Sequence, residues 1–286
     1  MAELYVVATP IGNLGDFSSR GIETLKTADL IIAEDTRVTM KLGQVFSFRA
    51  RMVSCHRHNE EGKADQLAEQ ILSENLKAAL VTDAGTPCIS DPGNEVAAAC
   101  IRRGIPVIPV PGCSAGIAAI SASGFDAREF AFYGFLPREK KDLREKLKQI
   151  GQGVKVAVVH ESPFRIVDLT RMIAEVLPDA RLAVCCDLTK LHEKILYGAP
   201  QEVLERLLAD EKTEKGEYCV VMDLHGVPEE KEEKPAAEIS VEARLAEEIS
   251  RGMTLREAQE LLIEKGEKKN AVKQAALRLK KNCGAE

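Results

Sequence analysis

The sequence lacks the signatures that assign many chains to a functional class. Its eight cysteines form no CxxC pair, and no histidine cluster accompanies them at the spacing of zinc ligands, so we predict no metal site. Neither a GxGxxG fingerprint nor a GxxxxGK[ST] phosphate loop occurs. The formal net charge of −6 means that the molecule as a whole does not attract nucleic acid. Any RNA partner would need a local basic patch.

The first residues lack the basic and apolar composition of a signal peptide, because MAELYVVATPIG contains only a four-residue apolar stretch, Tyr5–Ala8. An uncharged run at Ile105–Phe125 is long enough to span a membrane, but prolines, glycines and serines interrupt it. We therefore predict a buried strand, loop and helix there, and no membrane association. The cysteines are expected to be small buried hydrophobes, with adjacent Cys185 and Cys186 on opposite sides of a strand. This favours a reducing, cytoplasmic compartment.

Short apolar runs alternate with amphipathic helical patterns in residues 1–125, which predicts a mostly parallel sheet with helices on both faces. We expect one of the helices at Asn59–Glu74, with Asn59 as its N-cap and Leu67, Ile71 and Leu72 on one buried face. The predicted strands are Leu4–Ala8, Leu30–Ala33, Met52–Ser54, Ala78–Val81 and Pro106–Val110.

A second α/β domain is predicted at 126–225, whose first elements are a strand at Phe130–Phe135 and a charged helix at Arg138–Ile150. Its further elements are predicted at Lys155–His160, Pro163–Leu177, Arg181–Cys186, Gln201–Ala209 and Tyr218–Leu224.

The remaining chain changes in character. A charged, low-complexity segment indicates a flexible linker at 226–239. A small helical tail is predicted at 240–286, where Thr254 and Glu257 have the spacing of a capping box and Gly266 ends that helix. From Lys265 onward, seven Lys or Arg residues against two Glu residues give a local charge of +5. This basic surface is either a solvated face or a small module that contacts RNA.

Three of the predicted strands run into loops rich in Gly, Pro, Ser and Thr. The loops read ATPIGNLGD (8–16), TDAGTPCISDPG (82–93) and VPGCSAG (110–116). In open parallel sheets, ligands bind beyond the carboxyl ends of the strands. Glycine lets the backbone approach a ligand, and proline removes freedom that binding would otherwise cost. Since no lysine is placed for a triphosphate, the loops predict a pocket for an adenosine-like ligand.

Several long strings carry a resemblance to a known family. They are YVVATPIGNLGD, AEDTR (33–37), TDAGTPCISDPG, PGCSA (111–115), FAFYGFLP (130–137), ESPFR (161–165), DLTKLHEKILYG (187–198) and KGEYCVVM (215–222). On these strings the chain resembles the ribosomal RNA small subunit methyltransferase I family, which belongs to the tetrapyrrole methylase-like, S-adenosylmethionine (SAM)-dependent methyltransferases. The resemblance covers essentially the whole chain. It departs at His160, Phe164 and Cys186, where the family usually has Tyr, His and Arg.

The resemblance implies a fold of two α/β domains, with SAM bound in the cleft between them, in a homodimer. The implied reaction is methyl transfer to the ribose 2′-hydroxyl of a cytidine in 16S ribosomal RNA of the small ribosomal subunit. Carried over position by position, the SAM-binding residues would be Pro10, Ile11, Gly12, Asp83, Gly85, Thr86, Ile89, Ser114 and Ala115.

A ribose hydroxyl is a weak nucleophile and benefits from a base or a nearby cation. The candidates are Glu34 and Asp35 after the second strand, His56 after the third, and Lys190 in the second domain. Each has a structural alternative: the two acids could cap the next helix, His56 could be a surface or RNA-contacting residue, and Lys190 could form an ion pair with Glu193. We hypothesise that Asp35 and Lys190 lie near the acceptor hydroxyl.

Arginine pairs bidentately with phosphate, so Arg37, Arg57 and Arg165 are candidate RNA contacts. Two other functions stay open on the residues alone. One is a methyltransferase of the same fold that acts on a tetrapyrrole or another small molecule. The other is a non-catalytic, SAM-sensing RNA-binding protein.

Overall fold

The computed structural model describes residues 1–228 and 240–282. The chain divides into two compact units, Met1–Glu229 and Glu230–Glu286. The first unit contains two five-stranded sheets, and the second is helical. The predicted linker at 226–239 lies outside the described residues from 229 onward, and the domain boundary at residue 125 remains a prediction.

The first sheet, predicted to be mostly parallel, is fully parallel, with strand order β3-β2-β4-β1-β5. Side chains of neighbouring positions alternate between two cores, so Leu30 and Ile32 pack on one face while Ile31 and Ala33 pack on the other. The strands are β1 Glu3–Val7, β2 Leu30–Ala33, β3 Arg51–Ser54, β4 Lys77–Val81 and β5 Val107–Val110.

Helices cover both faces of this sheet. Leu25 and Leu42 pack on one face, and Leu67, Ile71 and Val96 pack on the other. The helices are α1 Ser19–Lys26, α2 Thr36–Phe46, α3 Glu60–Ser73 and α4 Asn94–Arg102. A fifth helix, α5 Ala115–Ser123, follows β5.

Two details predicted for α3 are wrong. Asn59 stands at the N-cap position but makes no capping hydrogen bond, because its Oδ1 instead accepts from the backbone N–H of His56 at 2.9 Å. Leu72 is 44% exposed, since the buried stripe of this helix follows Ala64, Leu67, Ala68 and Ile71.

The second sheet is mixed, with strand order β6-β7-β10-β8-β9. Only β6 and β7 run parallel, and the other neighbours are antiparallel. The strands are β6 Ala131–Phe135, β7 Val156–Glu161, β8 Arg181–Cys186, β9 Lys194–Gly198 and β10 Tyr218–Asp223. Its helices are α6 Lys140–Gly151, α7 Ile166–Val176 and α8 Pro200–Ala209. Strand β9, a partly buried edge strand, is not among the elements predicted from the sequence.

Helix α5 joins the two sheets. It follows the first sheet in sequence, yet its buried Ala119 belongs to a core with Val158, Ala183 and Val221 of the second sheet. The uncharged run at Ile105–Phe125 is therefore a strand, a loop and a helix, as predicted. The predicted burial is only partial, because α5 buries Gly116, Ala119 and Ser123 while Ile117 is 53% exposed. In the described part of the chain, no helix is long and apolar enough to cross a membrane.

Cys185 faces the core beneath α5, and Cys186 faces the opposite core. The predicted opposition of these two thiols is thus confirmed. Burial raises the pKa of both thiols, that of Cys185 to about 12, so neither thiol is a ready nucleophile or ligand.

The second unit is a three-helix body of α9 Val241–Ser250, α10 Leu255–Glu264 and α11 Lys269–Asn282. Its core contains Leu245, Leu262 and Val272. The predicted capping box is present, because Glu257 donates its N–H to Thr254 Oγ1 at 3.3 Å and accepts from the Thr254 N–H at 2.8 Å. Gly266, at φ 96°, follows the end of α10 as expected.

Candidate active site

The three predicted loops meet at the carboxyl edge of the first sheet. Thr9 and Gly85 exchange backbone hydrogen bonds of 2.8 and 3.0 Å, which ties the loop after β1 to the loop after β4. Thr86 Oγ1 donates to the carbonyl of Cys113 at 2.9 Å, which ties the loop after β4 to the loop after β5. Gly85 adopts φ 88°, a left-handed conformation that favours glycine. The three loops are thus one connected surface.

A cavity of about 520 Å³ opens on this surface, which we call the loop cavity. Its opposite wall comes from the second sheet, through Phe132, Val158 and His160. Six of the nine predicted cofactor residues line it, namely Ile11, Gly85, Thr86, Ile89, Ser114 and Ala115. The other three, Pro10, Gly12 and Asp83, lie outside its lining, and Asp83 instead accepts a hydrogen bond from the Asp35 N–H at 3.1 Å.

The loop cavity suits an adenosine-like ligand. Its volume falls within the range of about 300–1,000 Å³ that is usual for small-molecule sites. Most of the lining side chains are apolar, and a few polar side chains, such as Thr86 and Ser114, lie among them. Ser114 stands at the N-cap of α5 and makes no capping hydrogen bond, so its hydroxyl is available to a ligand.

A second cavity of about 390 Å³ adjoins the first, and we call it the outer cavity. Phe135, Ser162 and Glu217 are among the residues found only in its lining. The two cavities share six lining residues, which are Ile11, Ala84, Ile89, Asp91, Ala115 and His160. A ligand in one cavity would therefore meet a ligand in the other at these residues.

Asp91 and His160 are the titratable side chains at this junction, and both were missed as site candidates. The pKa of Asp91 is raised to about 6, first by burial and then by the Glu34 and Asp83 carboxylates, while Arg57 opposes the shift. Burial lowers the pKa of His160, so its imidazole is neutral at pH 7. Asp91 lies within the quoted glycine-rich loop, but only the folded chain places it between two cavities.

The acids after β2 are engaged with their neighbours. Asp35 caps α2, since its Oδ1 accepts from the Arg37 N–H at 2.8 Å, and it forms an ion pair with the Arg37 guanidinium at 2.6 Å. These contacts lower the pKa of Asp35 to about 2. Glu34 does not cap the helix, because it accepts from Thr82 Oγ1 at 2.5 Å and from the Asp83 N–H at 3.3 Å. Neither acid lines either cavity.

Lys190 belongs to a different ion-pair set from the one expected. Its ammonium group contacts Asp187 and Glu217, each at 2.9 Å, whereas Glu193 accepts from the Thr189 N–H. The predicted Lys190–Glu193 pair is therefore wrong. Burial works against protonation of Lys190, but these two hydrogen bonds prevail and raise its pKa.

Lys190 also lies against the first loop. A Cβ at Gly12 would clash with Lys190 Cγ, and the Asn13 N–H donates to Thr189 Oγ1 at 3.2 Å. These contacts join the loop after β1 to the loop after β8. The predicted cofactor residue Gly12 thus permits a close approach of the two loops.

His56 lies outside the lining of both cavities. Its Nε2 is 3.0 Å from Asn59 Nδ2, and its buried Nδ1 has no hydrogen-bond partner in the described part of the chain.

The three candidate RNA-binding arginines differ in their exposure to solvent and in their hydrogen-bond and ion-pair partners. Arg37 is 82% exposed although it pairs with Asp35. Arg57 donates to the Ser90 carbonyl at 2.8 Å. Arg165 donates to the Pro137 carbonyl at 3.0 Å and forms an ion pair with the buried Glu161 at 3.2 Å. Arg37 is therefore largely exposed, while Arg165, whose side chain is 26% exposed, has a structural partner.

Within residues 1–228 and 240–282, no group of three or more His, Cys, Asp or Glu side chains is arranged to hold a metal ion.

The family described as Tetrapyrrole (Corrin/Porphyrin) Methylases matches residues 3–204. Among similar proteins, the Ribosomal RNA small subunit methyltransferase I of Halalkalibacterium halodurans is 43% identical, over 80% of this chain and 78% of its own length. The protein of that name from Bacillus subtilis is 39% identical over 90% of this chain and 88% of its own length. The one from Escherichia coli O157:H7 is 41% identical over 96% of this chain and 94% of its own length.

Solved structures share the fold at lower identity. A uroporphyrin-III-C-methyltransferase from Thermus thermophilus matches with a TM-score of 0.52 and 19% identity, covering 78% of this chain and 95% of its own. A diphthine synthase matches with a TM-score of 0.57 and 16% identity, over 77% and 89%. A uroporphyrin-III C-methyltransferase complexed with S-adenosylhomocysteine, also from Thermus thermophilus, matches with a TM-score of 0.51 and 16% identity, over 77% and 97%.

Proposed function

Since the chain belongs to the ribosomal RNA small subunit methyltransferase I family within the tetrapyrrole methylases, we propose that it transfers the methyl group of SAM to the ribose 2′-hydroxyl of a cytidine in 16S ribosomal RNA. The observation that carries the proposal is the pair of adjoining cavities, with six shared lining residues. The loop cavity would hold SAM, and the outer cavity would admit the acceptor nucleotide.

SAM supplies an electrophilic methyl group on a sulfonium, and the chain supplies the binding and orientation. Backbone and hydroxyl groups of the three loops would bind the nucleoside end, and apolar side chains from both sheets would exclude water. The transfer is an in-line displacement, so holding both reactants in contact contributes up to about 7–11 kcal/mol in well-oriented systems. Phe135, 63% exposed beside the outer cavity, offers an aromatic face on which a base can stack.

The roles inferred from sequence remain proposals. Asp35, Glu34, Lys190 and His56 stay candidates for activating or orienting the acceptor hydroxyl. Full activity in both Asp35→Ala and Lys190→Ala would exclude the hypothesis that these two lie near that hydroxyl. Action in the cytoplasm and as a homodimer also belongs to this proposal.

The test is methyl transfer from labelled SAM to small ribosomal subunits isolated from cells without this activity. Mass spectrometry of the digested RNA should find one new 2′-O-methylcytidine. Methylation at another position would correct the acceptor. SAM binding without transfer to RNA would contradict the proposal, and would favour a small-molecule acceptor such as a tetrapyrrole or a SAM-sensing RNA-binding protein.

A further inference from the structure

The carboxylate of Asp91 occupies a position that the family strings alone do not reveal. It belongs to the loop after β4, and it lines both the loop cavity and the outer cavity. Since a methyl donor in one cavity and an acceptor in the other would meet along their common lining, Asp91 lies beside the place where the new bond would form. The titratable side chains in that common lining are Asp91 and His160, and of these two Asp91 becomes an anion when it loses its proton.

The loop that carries Asp91 is held from several sides. The buried Glu60 carboxylate accepts from the N–H groups of Gly93 and Glu95, both at 2.8 Å. Arg57 donates to the Ser90 carbonyl at 2.8 Å, and Ser90 itself adopts φ 65°. These contacts hold the backbone on either side of Asp91. The backbone that carries the Asp91 carboxylate is therefore preorganised.

The surroundings of Asp91 favour a proton acceptor that works near neutral pH. Partial burial and the acids Glu34 and Asp83 raise its pKa to about 6, against the effect of Arg57. His160 faces the junction from the second sheet, and Glu217 lines the outer cavity. A base is most effective when its pKa lies near the working pH. By contrast, Asp35, whose pKa is about 2, is a much weaker base.

We propose that Asp91 is the general base of the methyl transfer, a role that rests on the proposed function. In this step the acceptor oxygen forms a bond to the methyl carbon as the carbon–sulfur bond breaks. The electron pair of that bond stays on sulfur, which becomes the neutral thioether of S-adenosylhomocysteine. The hydroxyl proton passes to an Asp91 carboxylate oxygen. The positive charge of the sulfonium and the negative charge of the carboxylate are both lost, so the step balances.

The test compares the wild type with Asp91→Asn, which keeps the shape of the side chain and removes its basicity. Single-turnover methyl transfer to unmodified small ribosomal subunits should be slower by about 10²–10⁴-fold in the variant. In the wild type the rate should rise with pH up to about 6 and then level off, because the base acts when deprotonated. This limb of the pH profile should disappear in Asp91→Asn. Asp65→Asn, on the exposed surface beside Arg103, serves as the control and should behave as the wild type.

Two readouts do not depend on turnover. Calorimetry should show that Asp91→Asn binds S-adenosylhomocysteine as the wild type does. Urea unfolding should show that Asp91→Asn gains stability relative to the wild type as the pH rises from 4 to 7. The sign follows from linkage: an acid whose pKa is raised on folding binds more protons in the native state, so its ionisation destabilises the fold.

Different results would overturn the role of Asp91 and the proposed methyl transfer to RNA. A wild-type rate in Asp91→Asn, or an unchanged pH limb assignable to His160, would overturn the role of Asp91 and leave the proposed function standing. Loss of S-adenosylhomocysteine binding in the variant would make Asp91 a cofactor-binding residue instead. Failure of the wild type to methylate the subunit would overturn the proposed function, and the general base with it.

Discussion

At the scale of single residues, the site depends on polar groups whose partners decide what each can do. Glu161 and Arg165 illustrate this, because both belong to the ESPFR string that carries part of the family resemblance. The Glu161 carboxylate is buried, with Oε1 accepting from the Ser162 N–H at 2.7 Å and Oε2 lying 3.2 Å from Arg165. Burial raises the pKa of Glu161, while Ser162 and Arg165 oppose the shift. Arg165 thus has a structural task besides any contact with phosphate.

Substitution of this pair separates the two tasks. Arg165→Ala leaves the Glu161 carboxylate without its cation, so the free energy of unfolding should fall by about 1–3 kcal/mol. Arg165→Ala combined with Glu161→Gln should recover most of that loss in urea unfolding, because no buried charge remains. Binding of small ribosomal subunits then decides the predicted RNA contact: recovered affinity in the double variant would assign Arg165 to structure alone.

Asp91 and His160 show why part of the site could not be predicted from sequence. The glycine-rich loop containing Asp91 was identified as a ligand loop, because Gly, Pro, Ser and Thr after an apolar run signal a binding turn. Nothing in that loop singled out Asp91 as a site residue. In the folded chain, Asp91 and His160 of β7 line the same two cavities, although they are far apart in sequence. Composition reveals that a loop binds something, whereas long-range packing decides which side chain meets the ligand.

At the scale of secondary-structure elements, the first sheet was predictable and the second only partly so. The central strands β2 and β4 of the first sheet are short apolar runs with nearly every residue buried, including all four residues of β2. Strand β9 was not predicted, because KILYG is an edge strand with mixed burial and gives no clear apolar pattern. The predicted cap of α3 is wrong because Asn59 Oδ1 accepts from the His56 N–H instead. Local patterns predict elements well when burial is complete and poorly at edges and termini.

Helix α2 gives an element-scale prediction, because its N-cap is also a predicted catalytic residue. Asp35→Ala removes the acceptor for the Arg37 N–H, and the free energy of unfolding should fall by about 0.5–2 kcal/mol. Asp35→Ser retains a capping oxygen and should restore most of that stability, since the exposed ion pair with Arg37 adds little.

The same two variants test the chemistry of Asp35. Single-turnover transfer in Asp35→Ser, at restored stability, measures the need for a carboxylate. A large loss there would support the role inferred from sequence, whereas an unchanged rate would leave Asp35 as a helix cap.

At the scale of the whole molecule, charge is unevenly distributed. The chain carries −6 overall, while the residues from Lys265 onward carry +5. Part of this basic charge is already paired within the helical unit, where Arg278 contacts Glu242 at 3.1 Å and Lys265 contacts Glu248 at 3.4 Å. Lys268, Lys269 and Lys273 are exposed around the start of α11 and are the better candidates for phosphate contacts.

If these three lysines contact the phosphates of ribosomal RNA, replacing all three with Gln should weaken binding of the small ribosomal subunit and reduce its salt dependence. Each lost contact lowers the slope of log K against log salt by about 0.7–0.9, so the full set changes it by about 2–3. Binding of S-adenosylhomocysteine should not change. Lys212→Gln with Lys215→Gln is the matched control, because these exposed lysines stand among Asp210, Glu211 and Glu214, which repel phosphate. An equal salt slope in wild type and triple variant would show that the basic face is solvated and does not contact RNA.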